Sequence, residues 1–441
     1  TYNLNNHNMA TESKLDGFEM NGDEYVDLLR SLISEVEFLQ DNPPDLVPEE
    51  DRACKHVLEF LKPYTKEEGG PLIVEQVNFE PGRGNILITY PGSSDKCVSF
   101  VGSHLDVVPA SPEEWDRNPF ELVVEGDKLY GRGTTDCLGH VALLSCLFKT
   151  LAEKKPDLGV TVNAVFIASE EAEAKPGVGV DGLMAAGKLE HLKAGPVFWI
   201  DCADSQPCIG TAGALMWHLK VNGFLGHSGL PHQGINAIEF GMEAVKRIQE
   251  RFYTDFPAHP EEERYNFATP STMKPTQMSV AKGGLNQIPP SATISGDIRL
   301  TPFYKVPVVT AAIERYVEEI NKDVSSLPYH GPCSKYELPE KGITGSLELT
   351  WGKTHLTGVA CSLESPGFTA LCESIAAIKG EAKPYSICGS LPLVADLKDA
   401  GFDLQLTGFG LSSTYHALNE YCLLSDMKDA FKVLSLIITK L

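Results

Sequence analysis

The sequence lacks a close Cys-x-x-Cys pair, and its 11 cysteines are scattered over 441 residues. That distribution excludes a zinc finger and a disulfide framework, and it fits reduced thiols in the cytosol. Basic residues are scarce: 37 Lys plus Arg stand against 60 Asp plus Glu, a formal charge of −23. Phosphate-rich partners need basic patches, so nucleic acid and anionic membrane surfaces are not expected as partners. The acidity itself names no substrate; it serves solubility. No apolar run approaches the ~18 residues of a membrane span, and repeats and low-complexity tracts are missing. The opening TYNLNNHNMATESKLDGFEMNGDEY has no apolar h-region and no arginine, hence no visible secretory or transit pattern. The chain starts at Thr1 rather than Met, so a plastid location stays open if a leader precedes it. The terminal Thr-Lys-Leu ends an apolar helix pattern and reads as packing rather than a peroxisomal signal.

What is present is ordinary globular composition, 42% hydrophobic and 22% charged. The length exceeds the roughly 250–300 residues at which one core stops growing, so two domains are expected. Tyr25, Leu28, Leu29, Leu32, Ile33, Val36 and Leu39 recur at helical spacing over 24–39, and a second helix is predicted over 49–61. Strands are predicted at 72–77, 85–90, 98–101, 159–168 and 197–200, with helices at 139–153 and 180–186. Such alternation implies an α/β domain with a mixed central sheet and helices on its faces. From Thr211 the pattern changes to strand (214–221), helix (237–252), strands (277–280, 292–300) and helix (306–321), an inserted α+β domain. Residues 322–352 carry one strand, at 347–351, and are expected to form a long exposed arm. The α/β alternation then resumes through 368–378, 405–407 and 423–441. The expected division is 1–210 with 358–441 against 211–357.

Chemistry-bearing residues sit where strands end. SHLDVVPA places His104 and Asp106 just past a predicted strand, and the i, i+2 spacing sends both side chains to one side. Alone, the pair is weak, because a lone strand histidine is more often a satisfied core residue than a ligand. LYGRGTTDCLGH places Asp136 at a helix entrance, where an N-cap would also explain it. VFIASEEAEA ends an apolar strand in Glu170 and Glu171, adjacent acids that repel unless a cation sits beside them. Asp201 follows another strand, and His416 follows a strand and a Gly-rich turn. Five strand ends bearing His, Asp, Glu-Glu, Asp and His point together to a site for two divalent ions, Zn²⁺ by donor type, with Co²⁺ or Mn²⁺ as substitutes.

These segments resemble a family of metallohydrolases that includes acetylornithine deacetylases, succinyl-diaminopimelate desuccinylases, aminoacylases and zinc carboxypeptidases. SHLDVVPA is similar to the family's GHLDVVP, LYGRGTTDCLGH to YGRGTSDMKGG, and SEEAEA to its DEE segment. The resemblance implies that His104, Asp136 and Asp201 hold one metal and Asp136, Glu171 and His416 the other. Asp136 would bridge, Asp106 would orient His104, and Glu170 would act as general base. GFLGHSGLP resembles GxxxHSxxP, which implies that His227 reaches a partner's active site across a homodimer. KGGLNQIPPSATISGDIRL resembles the segment whose Asn and Arg, here Asn286 and Arg299, bind a substrate carboxylate; from the residues alone, Arg299 would be a surface ion pair. The inserted domain would be the dimerisation lid. Ser103 stands where the family has Gly, Asp201 is a methylene shorter than the bacterial Glu, and the turn after Glu171 is longer than usual. Within the family, SHLDVVPA, GSLPLVADL and STYHALNEY look most like the plant type of acetylornithine deacetylase. The implied reaction is N2-acetyl-L-ornithine plus water to L-ornithine and acetate, in arginine biosynthesis. The alternatives are a related aminoacylase or desuccinylase, a dipeptidase or carboxypeptidase, or a metal-free scaffold of the same fold.

Overall fold

A computed structural model describes residues 15, 17–171, 175–331, 333 and 335–441; the expectations for the first fourteen residues and for 172–174 lie outside these. The chain forms two compact units, one from Thr1–Ile209, Cys361–Pro384 and Asp396–Leu441, the other from Gly210–Ala360 and Tyr385–Ala395. Among the described residues no helix is long and apolar enough to cross a membrane. Among the described residues no cysteine forms a disulfide.

In the first unit the strands Ile73–Glu80, Arg83–Tyr90, Thr161–Ile167, Cys97–His104, Pro196–Ile200 and Asp403–Thr407 lie side by side in that order. The first three pair antiparallel. From Thr161–Ile167 onward the neighbours run parallel, so the sheet is mixed. Parallel strands are buried on both faces and read as unbroken apolar runs, and Cys97–His104 and Pro196–Ile200 are buried at every position. The helix Leu138–Lys154 is apolar on nearly all sides, as a helix enclosed by its unit must be. It shares one core with Tyr25, Leu29, Val57, Phe100, Phe166 and Phe431. The single helix predicted over 24–39 is in fact two, Gly22–Ile33 and Val36–Leu39. Ser34 ends the first by turning its hydroxyl onto the Ser31 carbonyl, 2.7 Å away, a local bond that competes with continued helix.

One backbone feature shapes the strand that carries His104. Pairing with Thr161–Ile167 shifts register between Val101 and His104, and Gly102 between them has φ +98°. The strand therefore runs on to His104, beyond the predicted end at Val101, through an irregularity. A Cβ on Gly102 would lie 2.3 Å from the Trp199 ring. Gly102→Ala is therefore expected to cost about 1–3 kcal/mol through overpacking alone, with a left-handed backbone cost added. The thermal unfolding midpoint measures this; an unchanged midpoint would contradict the packing described.

The second unit is an antiparallel four-stranded sheet, ordered Thr272–Val280, Ser291–Leu300, Gly213–Asn222, Ser346–Leu356. Along Gly213–Asn222 the residues Leu215, Trp217, Leu219 and Val221 are buried while Met216, His218 and Lys220 are exposed, the period of two that a one-faced sheet requires. Helices Ala237–Asp255 and Val306–Lys322 close the buried face with Phe240, Ile248, Phe252, Ile313 and Tyr316. The expected exposed arm over 322–352 is not one. Val324, Leu327, Tyr336, Leu338 and Leu347 join this core, and Tyr336 stacks on Phe240 with ring centroids 4.8 Å apart.

Candidate metal centre

Four neighbouring parallel strands end on the same side of the first unit's sheet, and open α/β sheets bind ligands beyond such carboxyl ends. His104 is the last residue of its strand, with Asp106 two residues on. Glu170 and Glu171 follow Thr161–Ile167, Asp201 follows Pro196–Ile200, and His416 follows Asp403–Thr407 through a turn in which its own φ is +52°. Asp136 arrives separately, just ahead of the helix Leu138–Lys154. That helix has Cys137 at its N-cap with no side-chain capping bond, so Asp136 is not a cap. Its carboxylate turns the other way, towards the histidines.

Asp136 Oδ1 is 2.9 Å from His104 Nε2, and Asp136 Oδ2 is 2.9 Å from His416 Nε2. Around these two contacts lie two donor groups: His104, Asp136, Cys137 and Asp201, and Asp136, Glu171 and His416. In each group one ligand atom per residue lies within 4.8 Å of every other. Asp201 Oδ1 is 3.6 Å from His104 Nε2, and Glu171 Oε2 is 3.2 Å from His416 Nε2. Trp199 Nε1 donates to Asp201 Oδ2 at 3.1 Å, which leaves Oδ1 facing the histidine. Glu170 Oε2 is 3.8 Å from His104 Nε2.

The electrostatics are those of a site built for cations. Asp106, Asp136, Glu170, Glu171 and Asp201 crowd together, and among the described residues their ion pairs are all with His104 and His416. Burial, reinforced by Asp201, pushes the Glu170 carboxyl well above its usual range although His104 opposes it. Burial and then Asp136 push Glu171 up to about 7. Hydrogen bonds with Asp136 and then Glu171 raise His416 to about 10. Burial would lower His104, but Cys137, Asp106, Asp136 and Asp201 together drive it well up. Asp136 is buried too, yet the two histidines hold it below the carboxylate range. Carboxyls forced up and imidazoles forced up in one cluster signal excess negative charge, which divalent ions would relieve. Among the described residues Glu170 Oε1 and Glu171 Oε1 are buried and have no hydrogen-bond partner, and buried polar atoms without partners call for an ion or water. The donor set fits two metal ions.

Asp106 does more than face His104. Its carboxylate is 3.6 Å from His104 Nδ1, whereas its backbone carbonyl lies 2.9 Å from that nitrogen. The carboxylate oxygens instead accept the backbone N–H groups of Glu170 and Glu171, each at 2.9 Å. Sequence reasoning missed the other braces. Glu50, paired with Arg83, accepts the Ser169 N–H, and Asn85 accepts that of Ala168. Glu420, paired with Arg132, accepts from the loop that carries Asp136. Cys137 was also missed; its Sγ is 3.1 Å from His140 Nδ1. The His140 Nε2 accepts from the Phe409 N–H at 2.8 Å, so the ring proton sits on Nδ1 and points at the thiol sulfur. No spacing in the sequence announces these roles, since each depends on which backbone N–H comes within reach.

The remaining candidates belong to the second unit. His227 and Asn286 are exposed, and His227 Nδ1 accepts from the Gly229 N–H at 3.0 Å. Arg299 Nε donates to Asp297 at 2.7 Å, the surface ion pair that its residues alone suggest.

The profile of peptidase family M20/M25/M40 matches residues 100–440. An acetylornithine deacetylase of Arabidopsis thaliana is 55% identical over 421 residues, covering 95% of this chain and 96% of that protein. One from Dictyostelium discoideum is 51% identical over 431 residues, covering 95% and 96%. The crystal structure of human carnosine dipeptidase 1 superposes with a TM-score of 0.66 at 16% identity, covering 95% of this chain and 96% of that one, a likeness of fold.

Proposed function

Because the chain belongs to peptidase family M20/M25/M40, we propose that it is a two-metal amide hydrolase that converts N2-acetyl-L-ornithine and water to L-ornithine and acetate. One observation carries the chemistry: Asp136 offers one carboxylate oxygen to each of two donor groups. Identity above half to two acetylornithine deacetylases carries the substrate.

In this reading His104, Asp136 and Asp201 hold one ion and Asp136, Glu171 and His416 the other. Zn²⁺ suits the imidazole and carboxylate donors, with Co²⁺ or Mn²⁺ able to replace it. When bound, the pair supplies Lewis-acid polarisation of the amide carbonyl and lowers the pKa of a water towards neutrality. Glu170 takes the proton of the attacking water and returns it to the leaving amine, so one carboxyl serves as base and then acid. Asp106 keeps that carboxyl in place by holding the N–H groups of Glu170 and Glu171. His227 is assigned to the developing oxyanion. Its Nδ1 is taken by Gly229, so the neutral ring carries its proton on Nε2 and can donate there. Asn286 and Arg299 are assigned to the substrate carboxylate, and the second unit to a dimerising lid that brings His227 to a partner's centre. The compartment proposed is the cytosol.

The test is elemental analysis of the purified protein together with a panel of N-acetyl-L-ornithine, N-succinyl-diaminopimelate, N-acetyl amino acids and dipeptides. Two ions per chain and the highest kcat/KM on N-acetyl-L-ornithine are expected. A higher value on another member would move the substrate assignment, and absence of both metal and hydrolysis would leave a scaffold.

A further inference from the structure

The loop that presents Asp136 is held by a residue outside both donor groups. Glu420 is fully buried. Its Oε1 accepts the N–H of Thr135 at 2.8 Å and of Asp136 at 3.0 Å; its Oε2 accepts the N–H of Gly133 at 3.2 Å and one guanidinium N–H of Arg132 at 2.7 Å. A buried charge is tolerated only when paired and fully hydrogen-bonded, and here four donors converge on two oxygens. The same short stretch is tied to the loop by main chain as well. The Gly131 N–H donates to the Glu420 carbonyl at 3.0 Å, Thr135 Oγ1 donates to the Tyr421 carbonyl at 3.1 Å, and Tyr421–Leu423 pairs antiparallel with Lys128–Tyr130. Glu420 lies four residues after His416. One carboxylate thus joins the loop carrying the shared carboxylate to the loop carrying a histidine of the second donor group.

We infer that Glu420, with Arg132 as its counter-ion, is a positioning residue that fixes Asp136 between the two metal ions and sets its distance to His416. The inference rests on the proposed roles of Asp136 and His416 as ligands. A carboxylate suits this task better than an amide of the same shape. In Glu420→Gln the NH2 replaces one oxygen. If it replaces Oε1, the N–H groups of Thr135 and Asp136 lose their acceptor; if it replaces Oε2, Gly133 and Arg132 lose theirs. Either way the loop from Arg132 to Asp136 loses two of its four anchors while the ligand atoms themselves stay unaltered. Glu420→Asp keeps the charge but withdraws it by one methylene, so reach and charge can be separated.

The experiment is metal affinity, by chelator competition, on the parent, Glu420→Gln and Glu420→Asp, with kcat, KM and thermal unfolding on the same preparations. The expected result for both variants is an affinity weaker by about 10–100-fold, the range for partners that orient metal ligands, with kcat falling alongside it and KM little changed. A variant with a lower unfolding midpoint but parental metal affinity and kcat would overturn the inference, because only packing would then depend on Glu420. If neither variant folds, amide hydrogen exchange on the metal-loaded parent decides: Gly133, Thr135 and Asp136 must exchange slowly, and exchange at open-loop rates refutes the cradle. A parent that binds no metal would instead defeat the proposed function itself, which keeps the two failures apart.

Discussion

Glu170→Gln is expected to retain both metal ions and lose turnover, with kcat lower by about 10²–10⁴-fold, the contribution of a positioned general acid–base group. The expectation rests on where the carboxyl stands. Glu170 is in neither donor group, yet its Oε2 is 3.8 Å from His104 Nε2, beside the first group, and its Oε1 is buried without a partner among the described residues. A carboxyl so placed could take a proton from a water activated at the centre without belonging to either donor group. Its main chain is fixed independently: Asp106 holds the Glu170 N–H and Glu50 that of Ser169. The glutamine side chain can therefore sit in the parental position, and the change tests proton transfer rather than folding. Metal content by elemental analysis and single-turnover kinetics measure the two halves. Loss of metal would make Glu170 a ligand; an unchanged kcat would remove it from the chemistry.

How far the site could be read from the sequence follows from which interactions are local. His104, Asp106, Glu170, Glu171, Asp201 and His416 were legible because each trails an apolar strand, and apolar runs survive in sequence as composition. That the strands before Glu170, His104, Asp201 and His416 are adjacent and parallel was not legible, since strand order depends on pairing between segments as distant as Pro196–Ile200 and Asp403–Thr407. Asp136 was legible by its order after the first pair and its place after the strand Lys128–Tyr130; the N-cap reading was physically sound as well, and what removes it is the pull of two histidines across the centre. Glu50 and Glu420 were invisible for a related reason. Each is a buried acid that pairs with an arginine distant in sequence, Arg83 or Arg132, and holds the site only through backbone N–H groups, which every residue except proline carries, so no residue type marks the role. In the second unit the alternating strand Gly213–Asn222 and its two long helices follow from period alone. The segment 322–352 does not, because Tyr336 and Leu338 are isolated apolar residues that become core only when Phe240 offers a surface.

Replacing Asp136 should empty the centre, whereas replacing a histidine should not. Asp136→Ala removes the one side chain that belongs to both donor groups, leaving His104 and Asp201 with Cys137 on one side and Glu171 with His416 on the other. Two carboxylates, Asp201 and Glu171, and two histidines are then left without the side chain they share, and a divalent ion on either side would lose a charged ligand. Metal content is expected to fall from two ions per chain to near none, with hydrolysis lost in step. His104→Ala removes a ligand from one group alone, so the ion held by Asp136, Glu171 and His416 should be retained at lower affinity while the other is lost. Asp106→Ala offers a graded comparison. Its carboxylate is 3.6 Å from the His104 ring but 2.9 Å from the N–H groups of Glu170 and Glu171. It should therefore weaken metal binding by about 10–100-fold while disturbing the base and the second group more than the His104 side. Isothermal titration of the metal-free variants resolves the two binding events. If Asp136→Ala still takes up two ions, the shared carboxylate is no bridge, and the two groups are separate sites; if Asp106→Ala loses metal as completely as His104→Ala, Asp106 is itself a ligand.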